Sequence, residues 1–171
     1  MTRTKAIWLS SIAAILIQPL VFLAWLGFPA LLAGEPAAVL ADMACVSIFA
    51  AVFAIPFVLI VGVPATLLLL RYGKLRWWRL ALVGVLAATL PIATFGLSTS
   101  PVYSSSGDWN GQFVDYVVNG ERTFYGWLSY FESLVYFAVH GFIGASVFYA
   151  LLRNSMSPNN SFKPKPLRGS A

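Results

Sequence analysis

Polar residues in this chain fall in clusters, and the stretches between them are long and apolar. Four apolar runs stand out, at residues 6–33, 44–70, 80–97 and 127–152. A helix needs about 20 apolar residues to cross the roughly 30 Å hydrocarbon core, so each run predicts one transmembrane helix, the third being the shortest. The pattern changes over residues 98–126. Ser98–Pro101 and Ser104–Gly107 read as turn and loop, and two β-prone runs, 112–118 and 121–125, then flank Asn119-Gly120. Asn-Gly between such runs signals a type I′ hairpin, because both central residues need positive φ. The register pairs Val118 with Glu121, Tyr116 with Thr123 and Val114 with Tyr125. One face then carries Val114, Tyr116, Val118, Thr123 and Tyr125 and rests on the helix ends. The predicted fold class is an all-α membrane protein. Residues 1–153 form a four-helix transmembrane bundle with a short extramembrane β-hairpin between the third and fourth helices, and residues 154–171 a disordered, basic cytoplasmic tail.

Composition sharpens this picture. Hydrophobic residues make up 59% of the 171 and charged residues 10%, against roughly a quarter charged in soluble domains. That excludes a soluble enzyme, a disordered tail protein and a nucleic-acid-binding domain, despite the basic pI of about 9.6. The charges map the two sides. Arg3, Lys5, Arg71, Lys74, Arg76, Arg79, Arg153, Lys163, Lys165 and Arg168 fall on one side and Arg122 alone on the other. Cytoplasmic segments carry the Lys/Arg excess, so both termini are expected in the cytoplasm. Five of the six carboxylates, Glu35, Asp42, Asp108, Asp115 and Glu121, fall on the outer side. The first run is far longer than a signal-peptide core and holds Gln18-Pro19, so it is expected to stay as a span. Asp42 spoils a lipoprotein box before Cys45, and a lone cysteine permits neither an intrachain disulfide nor a cysteine-based zinc site.

The loop Arg71–Arg79 mixes four cations with Tyr72, Trp77 and Trp78. Aromatic residues favour the headgroup layer and basic ones attract anionic lipids by about 1 kcal/mol each. Its place between two spans points to an anchor on anionic lipids, not to a nucleic-acid platform. Asp108–Gly111 lacks the remaining ligands of a calcium loop. No metal or cofactor is expected.

Ionisable groups within a span cost about 2.5–3.5 kcal/mol on insertion scales, and here there are two, Glu132 and His140. With Tyr136 they form an i, i+4, i+8 series within an arc of about 80°, which Ser129 joins. Ala138, Gly141 and Ala145 form a small-residue strip that permits close helix approach, and Phe131, Val135, Phe142 and Tyr149 form a lipid face. The fourth helix is thus expected to pack on two sides. His140 and Gln18 share a depth near mid-membrane and are expected to meet. Glu132 lies only about 7–8 Å below Trp127, within reach of the headgroups. Pro19, Pro56, Pro64 and Pro91 lie at membrane depth, where each frees a carbonyl for other partners.

Known four-helix membrane enzymes and carriers fail on residue counts. Disulfide-generating oxidoreductases need cysteine pairs, a b-type haem needs two axial ligands, and rhomboid-like proteolysis needs Ser and His on different helices. Small multidrug-resistance transporters place their glutamate in the first span. The stretches Asn119–Thr123 and Gly141–Ala145 make the body similar to small four-span bacterial membrane proteins with no assigned activity. The tail Ser157–Ala171 resembles tails of proteins encoded in integron cassettes, which implies a bacterial source and a mobile accessory gene. The expected function is that of a bacterial inner-membrane protein with a structural, immunity or envelope-adaptation role and no catalysis. The alternative is a small transporter or proton-coupled permease using Gln18, Glu132, Tyr136 and His140. Expected partners are the lipid bilayer and a second copy or another membrane protein, the small-residue strip serving packing within the chain or dimerisation equally well.

Overall fold

Four helices, each long and apolar enough to span a membrane, dominate the computed structural model, which describes residues 2–34, 36–97, 100–109 and 111–156. They are α1 (Arg3–Leu32), α2 (Ala37–Arg71), α3 (Trp77–Phe95) and α4 (Phe124–Met156). Each overlaps its expected run with shifted ends: α2 and α4 contain theirs whole, whereas α1 stops one residue and α3 two residues short of the expected end. The largest shift is in α2, which starts seven positions early because the chain leaves Pro36 in extended geometry and coils at once through Ala37-Ala-Val-Leu-Ala. The helix therefore carries Asp42, which the hydropathy pattern had placed outside it. α4 starts early because Thr123 caps it, its Oγ1 accepting from the Gly126 N–H at 3.1 Å. The expected disordered tail, residues 154–171, lies outside the described residues beyond Met156, up to which the helix continues.

Proline shapes α1 and α2. Proline lacks an N–H and its ring collides with the carbonyl four residues back. For Pro29 and Pro64 that carbonyl belongs to Trp25 and Ile60, and both lie in wider π-helical turns, Leu23–Gly27 and Phe57–Gly62. The loosened turn absorbs the collision without breaking the span.

A small sheet covers one end of the bundle. Strands β1 (Ser105–Trp109), β2 (Gln112–Val118) and β3 (Glu121–Arg122) pair antiparallel in the order β1-β2-β3. The Asn119-Gly120 turn has both residues at positive φ, 48° and 81°, and Val118 pairs with Glu121, as expected. Three expectations need correction. The connector is a three-stranded sheet and not a hairpin, because the Ser-Ser-Gly stretch assigned to loop pairs along β2. Val114 does not pair with Tyr125, because the Thr123 cap has already turned the chain into α4. The buried residue is Val117, at 4% exposed, with Val118 at 43%; the pairing slips between Ser105 and Ser106, which reverses faces there.

α4 is the central helix, packed on α1 and α3. The tight core, Ala6, Ile7, Ala14, Leu80, Phe148 and Leu152, sits toward the basic-loop end. Buried Ser10, Ser11 and Thr66 return their hydroxyls to the carbonyls of Ala6, Ile7 and Gly62, so they need no partner across the bundle.

Candidate functional site

Two pairs of glycines and small residues set how closely α4 meets its neighbours. On one side Gly141 lies backbone to backbone against Gly84 of α3: a Cβ on Gly84 would sit 2.5 Å from the Gly141 carbonyl oxygen and 2.7 Å from the Ala145 Cβ. On the other side Gly144 makes room for Gln18, whose Nε2 would lie 2.6 Å from any Cβ there. The small-residue strip thus serves packing within the chain.

Gln18 and His140 meet as their shared depth suggested. Gln18 Nε2 donates to the carbonyls of Ala14 at 3.0 Å and His140 at 3.5 Å. Its Oε1 is therefore the acceptor for His140 Nδ1, 2.5 Å away. Nδ1 accordingly carries a proton, and in the neutral ring Nε2 holds the lone pair. That Nε2 is buried with no partner. The Tyr136 ring lies tilted against the imidazole with 4.6 Å between centroids and also contacts Phe22 and Trp25 on α1.

These three polar side chains line one wall of a cleft of about 560 Å³ between the four helices. The rest of the lining is apolar, with Phe49 and Phe53 from α2, Val83, Ala87 and Ile92 from α3, and Phe137 from α4. On α3 the lining runs from Leu80 to Ile92 and on α4 from Tyr136 to Phe148, about 18 Å of helix in each case. That matches roughly half of a ~30 Å hydrocarbon core. The volume lies within the ~300–1,000 Å³ typical of small-molecule sites. Chemically the cleft can seat an apolar chain or ring system; it contains no charged side chain.

Glu132 is not part of this site. It is exposed on the outside of α4, beside Phe131 and Val135, which are 56% and 52% exposed. Eight residues at about 100° each leave it some 80° from His140, enough to carry it from the inward wall onto the lipid-facing surface. There its short distance from Trp127 lets it reach the headgroup layer. The intramembrane candidates thus divide: Gln18, Tyr136 and His140 come together and Glu132 stands apart.

Sequence reasoning passed over a second cavity. Under the sheet lies a chamber of about 530 Å³ that is widely open to the outside, lined by Gly96, Ser100, Tyr103, Ser105, Arg122 and Ser129 among others. Arg122 bonds the Gly96 carbonyl at the end of α3 and the Gly126 carbonyl in the first turn of α4. It lies 5.2 Å from the Tyr130 ring centroid and 5.8 Å from that of Trp127. The available signal was its isolation in the sequence, as the one cation of the segment between the third and fourth apolar runs.

At the opposite end the basic loop is ordered by its own side chains. Arg79 bonds the Lys74 carbonyl and lies 5.0 Å from the Trp78 ring, while Trp77 Nε1 donates to Ser146 Oγ at 3.1 Å. Cys45 is a free, exposed thiol on α2. Among the described residues no three His, Cys, Asp or Glu side chains cluster as metal ligands. No protein-family model, curated protein or solved structure matches the chain.

Proposed function

We propose that this chain is a non-catalytic, multi-pass protein of the bacterial inner membrane that takes an apolar molecule from the bilayer into the cleft between its helices. The observation that carries the proposal is the cleft itself, set beside a core cluster packed toward the basic-loop end. Holding a membrane-dissolved compound or a lipid chain fits an envelope-adaptation or immunity role. The ten-to-one division of cations supports the orientation with both termini and the Arg71–Arg79 loop in the cytoplasm. There the loop's cations and tryptophans rest on anionic lipids. With Gly141 and Ala145 used against α3, the lipid face of Phe131, Val135 and Phe142 is the surface on which a second copy would pack.

An apolar diazirine photoprobe, applied to the full chain in vesicles and mapped by peptide mass spectrometry, tests this. Insertion is expected at Val83 and Ala87, and filling the cleft with Ala50→Phe is expected to reduce it to background while labelling of Phe131 persists. Equal labelling of the inward positions in both proteins would refute the cleft as a binding site. The permease reading is favoured by one observation, the convergence of Gln18, Tyr136 and His140 on the cleft wall. It requires proton flux in the same vesicles that is lost in His140→Leu, and that result would take precedence over the binding-only proposal.

A further inference from the structure

We propose that the chamber under the sheet binds the phosphate of a membrane lipid through Arg122, in the leaflet opposite the basic loop. The chamber is separate from the intramembrane cleft, and the inference does not depend on what the cleft holds.

The first ground is charge. Arg122 is partly buried, and both groups its Nη atoms reach are carbonyls, those of Gly96 and Gly126. Carbonyls satisfy N–H groups without neutralising the cation. No carboxylate among the described residues bonds to Arg122, and its Nε–H is a buried donor with no acceptor. A cation withdrawn from water without a counter-ion is costly, and an arriving anion supplies both the missing charge and the missing acceptor. The guanidinium, 5.2 and 5.8 Å from the Tyr130 and Trp127 ring centroids, presents the planar fork of donors whose geometry matches a phosphate group.

The second ground is the lining. Ser100, Tyr103, Ser105 and Ser129, four hydroxyl-bearing residues, line the same space, and a phosphate has oxygens enough to accept from several hydroxyls. The third is position. Gly126 and Ser129 belong to the first two turns of α4, level with Trp127, where aromatic side chains mark the headgroup layer. Phe95 in the lining and Trp127 beside Arg122 are both exposed, so acyl chains leaving the chamber would lie on aromatic rings. This apolar surround favours a lipid phosphate over a free one.

The test titrates the full-length protein in detergent with dioleoyl phosphatidylglycerol, with dioleoylglycerol and with sodium phosphate, reading bound lipid by native mass spectrometry. Two variants are compared with the wild type: Arg122→Gln, and Ser129→Phe, which fills the chamber while leaving the Arg122 hydrogen bonds in place. Charged hydrogen bonds contribute about 1.5–3 kcal/mol, so both variants are expected to bind phosphatidylglycerol about tenfold or more weakly. Dioleoylglycerol is expected to bind all three proteins alike, and millimolar phosphate is expected not to displace the lipid. The cations of the basic loop are the same in all three proteins, so the difference reports the chamber alone. Should Arg122→Gln lose its helical circular dichroism, Ser129→Phe decides. Equal phosphatidylglycerol binding by folded wild type and Ser129→Phe overturns the proposal, and displacement by inorganic phosphate reassigns the chamber to a soluble anion and overturns it as well.

Discussion

Gly141→Val is expected to abolish assembly of the four-helix bundle. A side chain at Gly141 projects into the Gly84 carbonyl oxygen of α3, and its Cβ would lie 3.0 Å from the Ala88 Cβ. The obstruction is reciprocal, since a Cβ on Gly84 meets the Gly141 carbonyl. Overpacking a core costs typically about 1–3 kcal/mol when side chains can shift. Here the opposing atoms are backbone on both helices, so α3 and α4 have to separate along the seam, and the cost is expected to exceed that range. Domain stabilities are only about 5–15 kcal/mol, so loss of the monodisperse folded species is the expected outcome, read by size-exclusion chromatography and thermal circular dichroism in detergent. Ala150→Val, at an exposed position of the same helix, is the control and is expected to behave as wild type. A Gly141→Val protein with wild-type melting would mean that the helices do not meet at this crossing.

Gln18→Leu is expected to destabilise the protein more than Gln18→Leu combined with His140→Leu. The single substitution removes the acceptor of a buried N–H, and an orphaned buried donor costs about 1–3 kcal/mol. The double substitution removes donor and acceptor together and leaves apolar groups of similar size. Couplings of this kind between membrane helices average about 0.6 kcal/mol and reach about 1.7. The 2.5 Å contact between Nδ1 and Oε1, held by two further bonds of the amide, places this pair at the upper end. Denaturation of the four proteins in mixed micelles measures the cycle. Additive effects would show that the two side chains do not bond across α1 and α4.

How far the sequence revealed all this depended on the range of the interaction. Spans follow from local hydropathy, and all four were legible, but their ends depend on caps. Pro36 and Thr123 moved two of them by starting helices that apolar counting would begin later. The Asn119-Gly120 turn was legible because its chemistry is local. β1 was not, because Ser105-Ser-Gly-Asp-Trp109 has little intrinsic strand tendency and is held by pairing with β2. At the site, depth alone brought Gln18 and His140 together. Rotation about the helix axis mattered for Glu132, where about 80° separates a cleft wall from the lipid surface. Arg122 could not be read as partly buried, because Gly96, 26 residues away in the chain, helps to bury it.

A nitroxide attached at Ala87→Cys, in a Cys45→Ser background that removes the exposed native thiol, reports the character of the cleft directly. With the protein in lipid vesicles, power-saturation electron paramagnetic resonance gives the collision rates of the label with oxygen, which concentrates in hydrocarbon, and with a water-soluble nickel chelate. High oxygen access with little nickel access is the expected result, that of an apolar cleft continuous with the bilayer. High nickel access, or an immobilised label reached by neither reagent, would contradict it.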